Sequence, residues 1–157
     1  MNNKKYLVVV AGPTAIGKSA LAIHLAQHYR TEIISADSRQ FYSEMQIGTA
    51  VPSEAELAAV PHHFIRHRSI ARPYAVGDFE RDAIAKINTL FKKHDILIMA
   101  GGSGLYIDAV LNGLDDFPDV DPEIREQLNA KLQSGGIAAL QEQLREADLD
   151  YFKRVDI

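Results

Sequence analysis

Residues 12 to 19 read Gly12-Pro13-Thr14-Ala15-Ile16-Gly17-Lys18-Ser19 and satisfy the pattern G-x-x-x-x-G-K-[ST] at every fixed position. An apolar, β-branched run at residues 6–11 precedes them, and apolar residues at helical spacing follow in residues 17–29. A strand, a glycine-bearing loop and a helix in this order predict a phosphate-binding loop. Its backbone amides would cradle phosphate oxygens at the positive end of the helix.

The residue types in this loop suit a diphosphate or triphosphate. Gly12 and Gly17 let the backbone approach the phosphates closely. Lys18 would donate to the outer phosphate oxygens, and Ser19 would place its hydroxyl on Mg²⁺. The sequence has no Asn-Lys-x-Asp guanine-reading motif, and the apolar run at residues 96–99 continues into Ala100 rather than an aspartate. The loop therefore predicts phosphate binding and disfavours a switch GTPase.

Hydrophobic periodicity predicts an α/β fold of the P-loop NTPase-like kind, with three layers around a parallel sheet. The strand at residues 6–11 is expected to be buried on both faces. Further strands are expected at residues 32–36 and 95–100, with a short one within 63–70. Helices are expected at residues 17–29, 53–59, 77–93 and 103–111. The buried face of the first helix is predicted to carry Leu21, Ala22, Leu25, Ala26 and Tyr29.

The composition changes after Gly113. Residues 115–121 form an acidic loop containing Pro118, and Asp121-Pro122-Glu123 is a strong helix start. Ser134-Gly135-Gly136 should end that helix before a second one begins. We therefore divide the chain into a P-loop α/β core at residues 1–114 and a helical insertion at 115–157. Because three strands are few for such a sheet, we expect an N-terminal fragment whose sheet is continued beyond Ile157.

Charge and composition narrow the class of protein. The chain has 157 residues, 17 basic and 21 acidic, and a net charge of -4, which disfavours non-specific coating of nucleic acid. The absence of cysteine excludes disulfides and thiolate metal sites. No apolar run is long enough to span a membrane, so we expect a cytoplasmic protein with no membrane partner. We also expect a monomer. The basic cluster Arg66, His67, Arg68 and Arg72 fits either a solvated loop or a local groove.

Asp37 is the acidic residue at the end of the second predicted strand. It should lie at the carboxyl edge of the sheet, where ligands bind in open α/β folds. A carboxylate there could coordinate Mg²⁺ or take a proton from a nucleophile. The alternative is a turn or helix cap, which Asp37-Ser38 would also suit. Arg39 and Gln40 follow directly and could bind a polar substrate or lie on plain surface.

Together with the phosphate loop, the stretch Ile34-Ser35-Ala36-Asp37-Ser38-Arg39-Gln40-Phe41-Tyr42 resembles the tRNA dimethylallyltransferase family, the tRNA isopentenyltransferases. The resemblance covers essentially all of the chain. The further matches are, in chain order, Met45-Gln46-Ile47-Gly48-Thr49-Ala50, Val60-Pro61-His62-His63, residues 74–81, Gly101-Gly102-Ser103-Gly104-Leu105-Tyr106 and Asp121-Pro122-Glu123-Ile124-Arg125.

The resemblance implies transfer of a dimethylallyl group from dimethylallyl diphosphate to the exocyclic amine of an adenine beside the tRNA anticodon. The adenine would be flipped out of the anticodon loop to reach the site. The phosphate loop would hold the donor's diphosphate with Mg²⁺, Thr14 and Lys18 would grip the leaving group, and Asp37 would be the general base. The positions that match tRNA contacts of the family are Asp37, Ser38, Arg39, Gln40, Ser103 and Arg125.

Two positions depart from the family pattern. Ser103 stands where threonine is common, which keeps the hydroxyl, and Val51 stands where lysine is common, which removes a charge near phosphate or tRNA. The alternative functions are an adenylate isopentenyltransferase acting on free AMP or ATP, a P-loop nucleotide or small-molecule kinase, and a non-catalytic phosphate-binding module.

Two side-chain groups have competing interpretations. A zinc site at His62, His63 and His67 is disfavoured because an acidic or fourth ligand is missing from the pattern. Phe41 and Tyr106 could stack on a base, although core packing is expected for at least one of them.

Overall fold

A computed structural model describes residues 4–115 and 120–155 of the chain, which fall into two units, Met1–Leu114 and Asp115–Ile157. The first unit contains a parallel sheet of four strands in the order β1-β4-β2-β3. The strands are β1 (Tyr6–Ala11), β2 (Ile33–Ser35), β3 (His62–His63) and β4 (Ile96–Gly101). Because all four run in parallel, their carboxyl ends meet at one edge of the sheet, where ligands bind in open α/β folds.

Helices cover both faces of this sheet, which confirms the predicted three-layer α/β class. The helices of the first unit are α1 (Lys18–Tyr29), α2 (Glu54–Ala59), α3 (Val76–Leu90) and α4 (Gly104–Asn112). One apolar core joins Ala22 and Ala26 of α1 to Ile33 and Ile98 of the sheet. The second core, on the opposite face, joins the buried residues of α3 and α4 to β2 and β4.

The first strand and first helix are less buried than predicted. Only Val10 of β1 is buried, and Tyr6 is 54% exposed. Side chains of β1 do contact the cores on both faces, Leu7 and Val9 on one and Val8 and Val10 on the other, but within residues 4–115 and 120–155 β1 pairs with β4 alone, so its open edge leaves it only partly buried. Leu21 and Tyr29 are also exposed, because α1 contacts the sheet through its small residues Ala22 and Ala26.

The connection between β2 and α3 contains structure that the sequence pattern located only in part. The short strand expected within residues 63–70 is found at His62–His63, and Arg68 instead forms an isolated bridge with Tyr42. The predicted capping box of α2 is confirmed: the Glu56 amide donates to Ser53 Oγ, and the Ser53 amide donates to Glu56 Oε2 at 2.7 Å.

The second unit is helical, as predicted, with α5 at Pro122–Ala147 and α6 at Leu149–Phe152. Asp121 caps α5 by accepting a hydrogen bond from the Glu123 amide at 3.0 Å. Gly136 leaves the helical conformation at φ 66°, which confirms the predicted interruption, and Lys131 Nζ donates to Gln143 Oε1 across the break. Residues 116–119 of the expected acidic loop lie outside the described residues. In the part of the chain that is described, no helix has the length and apolarity needed to cross a membrane.

Glu32, the residue before β2, links this strand to His63 of β3 and to His94, which precedes β4. Its Oε2 lies 2.6 Å from His63 Nε2, and its Oε1 lies 3.3 Å from His94 Nε2. Burial raises the pKa of the Glu32 carboxyl, but the hydrogen bonds and charges of the two histidines lower it by more, so the pKa lies below its ordinary value of 4.5. The ionised carboxylate therefore stabilises the folded state.

Replacing Glu32 by glutamine should lower the free energy of unfolding at pH 7 by about 1–2 kcal/mol, because it removes charge-assisted hydrogen bonds. A carboxyl whose pKa is depressed in the folded state stabilises above its unfolded pKa, and this contribution is lost as the pH falls through the folded pKa. Urea unfolding should thus separate the two proteins at pH 7 and bring them together as the pH falls through the folded-state pKa of Glu32, which lies below 4.5. Glu80→Gln is the control, and an equal gap at all pH values would contradict the prediction.

Candidate active site

The phosphate loop connects β1 to α1 in a conformation that leaves backbone amides available to an anion. Gly12 and Gly17 have φ of 151° and 94°, and Ala15 has φ 66°. Gly17 is the N-cap residue of α1, and because it has no side chain, the first amides of the helix carry no side-chain cap. Lys18 Nζ donates to the Pro13 carbonyl at 2.6 Å, so the ammonium group lies against the loop that it is predicted to serve.

Asp37 follows β2 and has two distinct carboxylate oxygens. Oδ1 accepts a hydrogen bond from the Arg39 amide at 3.2 Å and caps the 3-10 turn Ser38–Phe41, so the capping interpretation is confirmed. Oδ2 has no hydrogen-bond partner among the described residues. A Cβ placed on Gly102 would lie 3.8 Å from this oxygen and 3.7 Å from the Gly12 carbonyl. Asp37 therefore faces the phosphate loop across Gly102, and capping leaves one oxygen for chemistry.

Gly101 allows the end of β4 to approach the residue that follows β2. A Cβ on Gly101 would lie 2.1 Å from the Ala36 carbonyl oxygen, a separation that real Cβ atoms do not show. The Ala36 amide donates to the Ala100 carbonyl at 2.8 Å, which continues the ladder to the residue before Asp37. The close approach of Gly101 and the hydrogen bond from Ala36 thus hold the backbone of the residue directly before Asp37.

Ser103 ties the start of α4 to the 3-10 turn. Its Oγ accepts from the Ser38 amide at 3.0 Å and donates to Ser38 Oγ at 3.1 Å, while its amide donates to the Ala36 carbonyl. The hydroxyl of Ser103 therefore helps to hold the backbone on which Asp37 sits. A contact of Ser103 with tRNA stays a prediction, and sequence reasoning had not identified this internal role.

A cavity of about 350 Å³ joins the phosphate loop to Asp37. The predicted site residues that line it are Thr14, Ala15, Gly17, Lys18, Ser19, Asp37 and Gln40. Further lining residues that sequence reasoning missed come from the 50–65 segment and are Ala50, Pro52, Glu56, His62 and Ile65. These residues lie far along the chain from the phosphate loop. Among them only His62 drew notice in the sequence, as a candidate zinc ligand beside His63. Arg125 lies exposed in the first turn of α5, in the second unit.

The donor set of this cavity fits a magnesium ion held mainly through a substrate. In residues 4–115 and 120–155 no group of three or more acidic or histidine side chains could hold a metal. Mg²⁺ is commonly bound by one or two protein oxygens, substrate phosphates and water, so Ser19 with a bound diphosphate would suffice. The three histidines are engaged separately: His62 Nδ1 with the Val60 carbonyl, His63 with Glu32, and the His67 ring with Phe41.

Phe41 belongs to the core and does not face a ligand. It is fully buried, stacks on Phe79 with ring centroids 5.0 Å apart, and meets Tyr74 and Tyr106 edge to face. This confirms core packing for one of the two candidate stacking residues. Phe41 is the last residue of the 3-10 turn, so this aromatic cluster packs against the turn and stabilises it.

A family model described as IPP transferase matches residues 40–157. The chain belongs to the IPP transferase family. The phosphate loop and Asp37 lie before the matched residues, so they are independent of that match. The matched residues include the whole second unit, Asp115–Ile157, which a phosphate-binding loop alone would not predict.

Similar proteins agree with this assignment. The chain is 60% identical over 152 residues to the tRNA dimethylallyltransferase of Christiangramia forsetii, covering 97% of this chain and 50% of that protein. It is 53% identical over 153 residues to the tRNA dimethylallyltransferase of Flavobacterium johnsoniae, covering 98% and 50%. The chain thus spans about half the length of the curated relatives it matches.

Two solved structures share the fold. The full-length tRNA isopentenylpyrophosphate transferase of Bacillus halodurans has a TM-score of 0.68 and 32% identity, covering 98% of this chain and 50% of that one. A eukaryotic dimethylallyltransferase captured in crystallographic snapshots acting on tRNA has a TM-score of 0.80 and 29% identity, covering 98% and 38%.

Replacing Lys18 by alanine should weaken binding of inorganic pyrophosphate by about 30- to 100-fold, because a charge-assisted hydrogen bond to phosphate is lost. Isothermal titration calorimetry in the presence of Mg²⁺ measures the dissociation constant. Lys92→Ala is the matched control, since it removes the same charge from an exposed position beyond the end of α3. Equal affinities of the Lys18 variant and the control would show that the ammonium group does not reach the ligand.

Proposed function

We propose that the complete protein carrying this chain transfers a dimethylallyl group from dimethylallyl diphosphate to the exocyclic amine of an adenine in the tRNA anticodon loop. The observation that carries the proposal is the single cavity that joins the phosphate loop to Asp37, in a chain of the IPP transferase family. The two relatives described above are named tRNA dimethylallyltransferases, which supports tRNA as the acceptor for this protein.

The donor would bind through its diphosphate. The amides at the start of α1 and the Lys18 ammonium would hold the phosphate oxygens, and Thr14 lines the same cavity. When the diphosphate binds, Lys18 Nζ would exchange its hydrogen bond to the Pro13 carbonyl for hydrogen bonds to phosphate oxygens. Ser19 would hold Mg²⁺, which when bound neutralises charge on the departing diphosphate. Apolar lining residues, among them Ile33, Pro52 and Ile65, suit the five-carbon chain of the donor.

Asp37 would remove the proton that the acceptor amine must lose. The nitrogen lone pair forms the new bond to the first carbon of the dimethylallyl group, while the electrons of the carbon–oxygen bond leave with diphosphate. The proton of the amine passes to Oδ2 of Asp37, the oxygen not used in capping the 3-10 turn. An aryl amine is a weak nucleophile, so loss of its proton during attack lowers the barrier.

The acceptor is proposed to be tRNA rather than a free nucleotide. Binding of an anticodon loop needs surface beyond the cavity, and Arg39 and Arg125 are exposed cations that could contact phosphates. Contacts of Asp37, Ser38 and Ser103 with tRNA belong to the same proposal, and Gln40 would contact tRNA only through groups other than its two amide donors, which bond to the Thr49 and Ala50 carbonyls. A cytoplasmic location and a monomeric state stay predictions.

The test measures transfer of labelled dimethylallyl to unmodified tRNA by the complete protein with Mg²⁺, with AMP and ATP as parallel acceptors. Label in tRNA alone is the expected result. Label in AMP or ATP would assign the protein to free-nucleotide prenylation. No transfer by a folded protein that binds pyrophosphate would leave only the phosphate site and overturn the proposed reaction.

A further inference from the structure

Gln40 is buried, at 8% exposure, and its side-chain amide is used within the protein. Nε2 donates to the Thr49 carbonyl at 3.2 Å and to the Ala50 carbonyl at 2.9 Å. Oε1 accepts from Ser35 Oγ at 3.3 Å, on the last residue of β2. A primary amide has two N–H donors, and both are occupied here. A direct contact of the Gln40 amide donors with a substrate would therefore require these bonds to break.

The segment that Gln40 holds has a strained backbone. Ala50 has φ 48°, the left-handed region that residues with a Cβ adopt at a cost. The two carbonyls that Gln40 binds are those of Ala50 and of the residue before it. Thr49 is itself buried and donates through Oγ1 to the Met45 carbonyl at 2.8 Å. The residues around the strained position are thus fixed by side-chain hydrogen bonds rather than by a helix or strand.

The held segment forms part of the cavity wall. Ala50 and Pro52 line the cavity, as do Ser35 and Gln40 themselves. A continuous path of hydrogen bonds therefore runs from the end of β2 through Gln40 to the wall that faces the phosphate loop. Asp37 is held by other bonds, to the Arg39 amide and through Ser38 to Ser103.

We propose that Gln40 is a positioning residue, which keeps Ala50 in its left-handed conformation and so shapes the wall of the donor cavity. The proposal rests on the proposed function for the identity of the donor, dimethylallyl diphosphate. Since the bonds that fix Asp37 do not involve the Gln40 side chain, its loss should affect donor binding more than the chemical step. Strain at a site of this kind persists only while the surrounding structure holds it.

The test is a double-mutant cycle in the complete protein between Gln40→Leu and Ala50→Gly. Glycine adopts φ near 50° without the penalty that alanine has, so the left-handed conformation at position 50 depends less on the hydrogen bonds from Gln40. Gln40→Leu should raise KM for dimethylallyl diphosphate about tenfold and change kcat by less than about threefold, from the loss of two neutral hydrogen bonds. The increase should shrink to under about threefold when residue 50 is glycine, with Ala50→Gly alone as the reference.

Hydrogen exchange of residues 48–52 provides a readout that needs no substrate. Faster exchange in Gln40→Leu than in the parent, with a KM penalty that shrinks in the glycine background, supports the proposal. Unchanged exchange overturns it. Faster exchange with an undiminished KM penalty also overturns it, because Gln40 would then act on dimethylallyl diphosphate directly.

Gln40→Met keeps the length of the side chain, removes both donors and replaces the leucine variant if that protein does not fold. It should show the same faster exchange and the same rescue by glycine at position 50. If the parent transfers no prenyl group to tRNA, the proposed function fails, and the exchange result still decides the role of Gln40.

Discussion

Asp37→Asn should lower kcat for prenyl transfer by a factor of about 10² to 10⁴, the range in which a positioned general base contributes. Asparagine keeps the size of the side chain and an oxygen that can cap the 3-10 turn, but it cannot take the proton of the amine. The affinity for dimethylallyl diphosphate should stay within about threefold of the parent, since Lys18 and the loop amides hold the diphosphate. Single-turnover transfer and calorimetry measure the two quantities.

Asp37→Ala separates the two tasks of this residue. Alanine loses the hydrogen bond from the Arg39 amide as well as the base, so it should lower stability by about 1 kcal/mol, whereas asparagine should not. Both variants should be equally slow in transfer. Wild-type turnover by the asparagine variant would remove Asp37 from the chemical step, and a weakened donor affinity in both would place it in donor binding.

Gly101→Ala should destabilise the fold by at least about 3 kcal/mol, more than most core substitutions that overpack a site. The added Cβ would lie 2.1 Å from the Ala36 carbonyl oxygen, and backbone atoms cannot swing aside as a flexible side chain can. Relief requires β4 to move away from β2, which breaks the Ala36 to Ala100 hydrogen bond and displaces Asp37. Urea unfolding measures the loss of stability, and transfer should fall with it.

Gly104→Ala is the matched control three residues later. Its Cβ would meet no atom within 4 Å, and Gly104 opens helix α4, where alanine favours the helix by up to about 1 kcal/mol. A Gly101 variant as stable as the Gly104 variant would show that the strands can separate at no cost. The close approach would then not determine the position of Asp37.

The sequence pattern was sufficient where one element carries its own signal. The order of strand, glycine-bearing loop and helix at residues 6–29, the helix α3 and the helix start at Asp121 all appear as predicted. The edge position of β1 could not be derived, because an apolar run does not reveal how many neighbours a strand has.

The sequence predicted two groups of residues that line the cavity, in the phosphate loop and at Asp37, and it missed the cavity wall formed by the 50–65 segment. The fixed spacing of the P-loop pattern identified Lys18 and Ser19, and the end of an apolar run identified Asp37. The cavity wall at Ala50 and Pro52 depends on a hydrogen bond between Gln40 and a segment ten residues later, which has no periodicity. The sequence gives Gly101 only a place in a family motif after a predicted strand, because the contact that requires glycine is with Ala36, 65 positions earlier in the chain.

The pairing of β1 with β4 sets a delay during synthesis on the ribosome. Tyr6 pairs with Ile96, ninety positions later in the chain. At about 5–20 residues per second, roughly 5 to 20 s pass before the partner of β1 has been translated. Throughout this time the nascent apolar strand lacks β4, its one partner among the described residues, so chaperones that bind extended apolar segments have a long window in which to capture it.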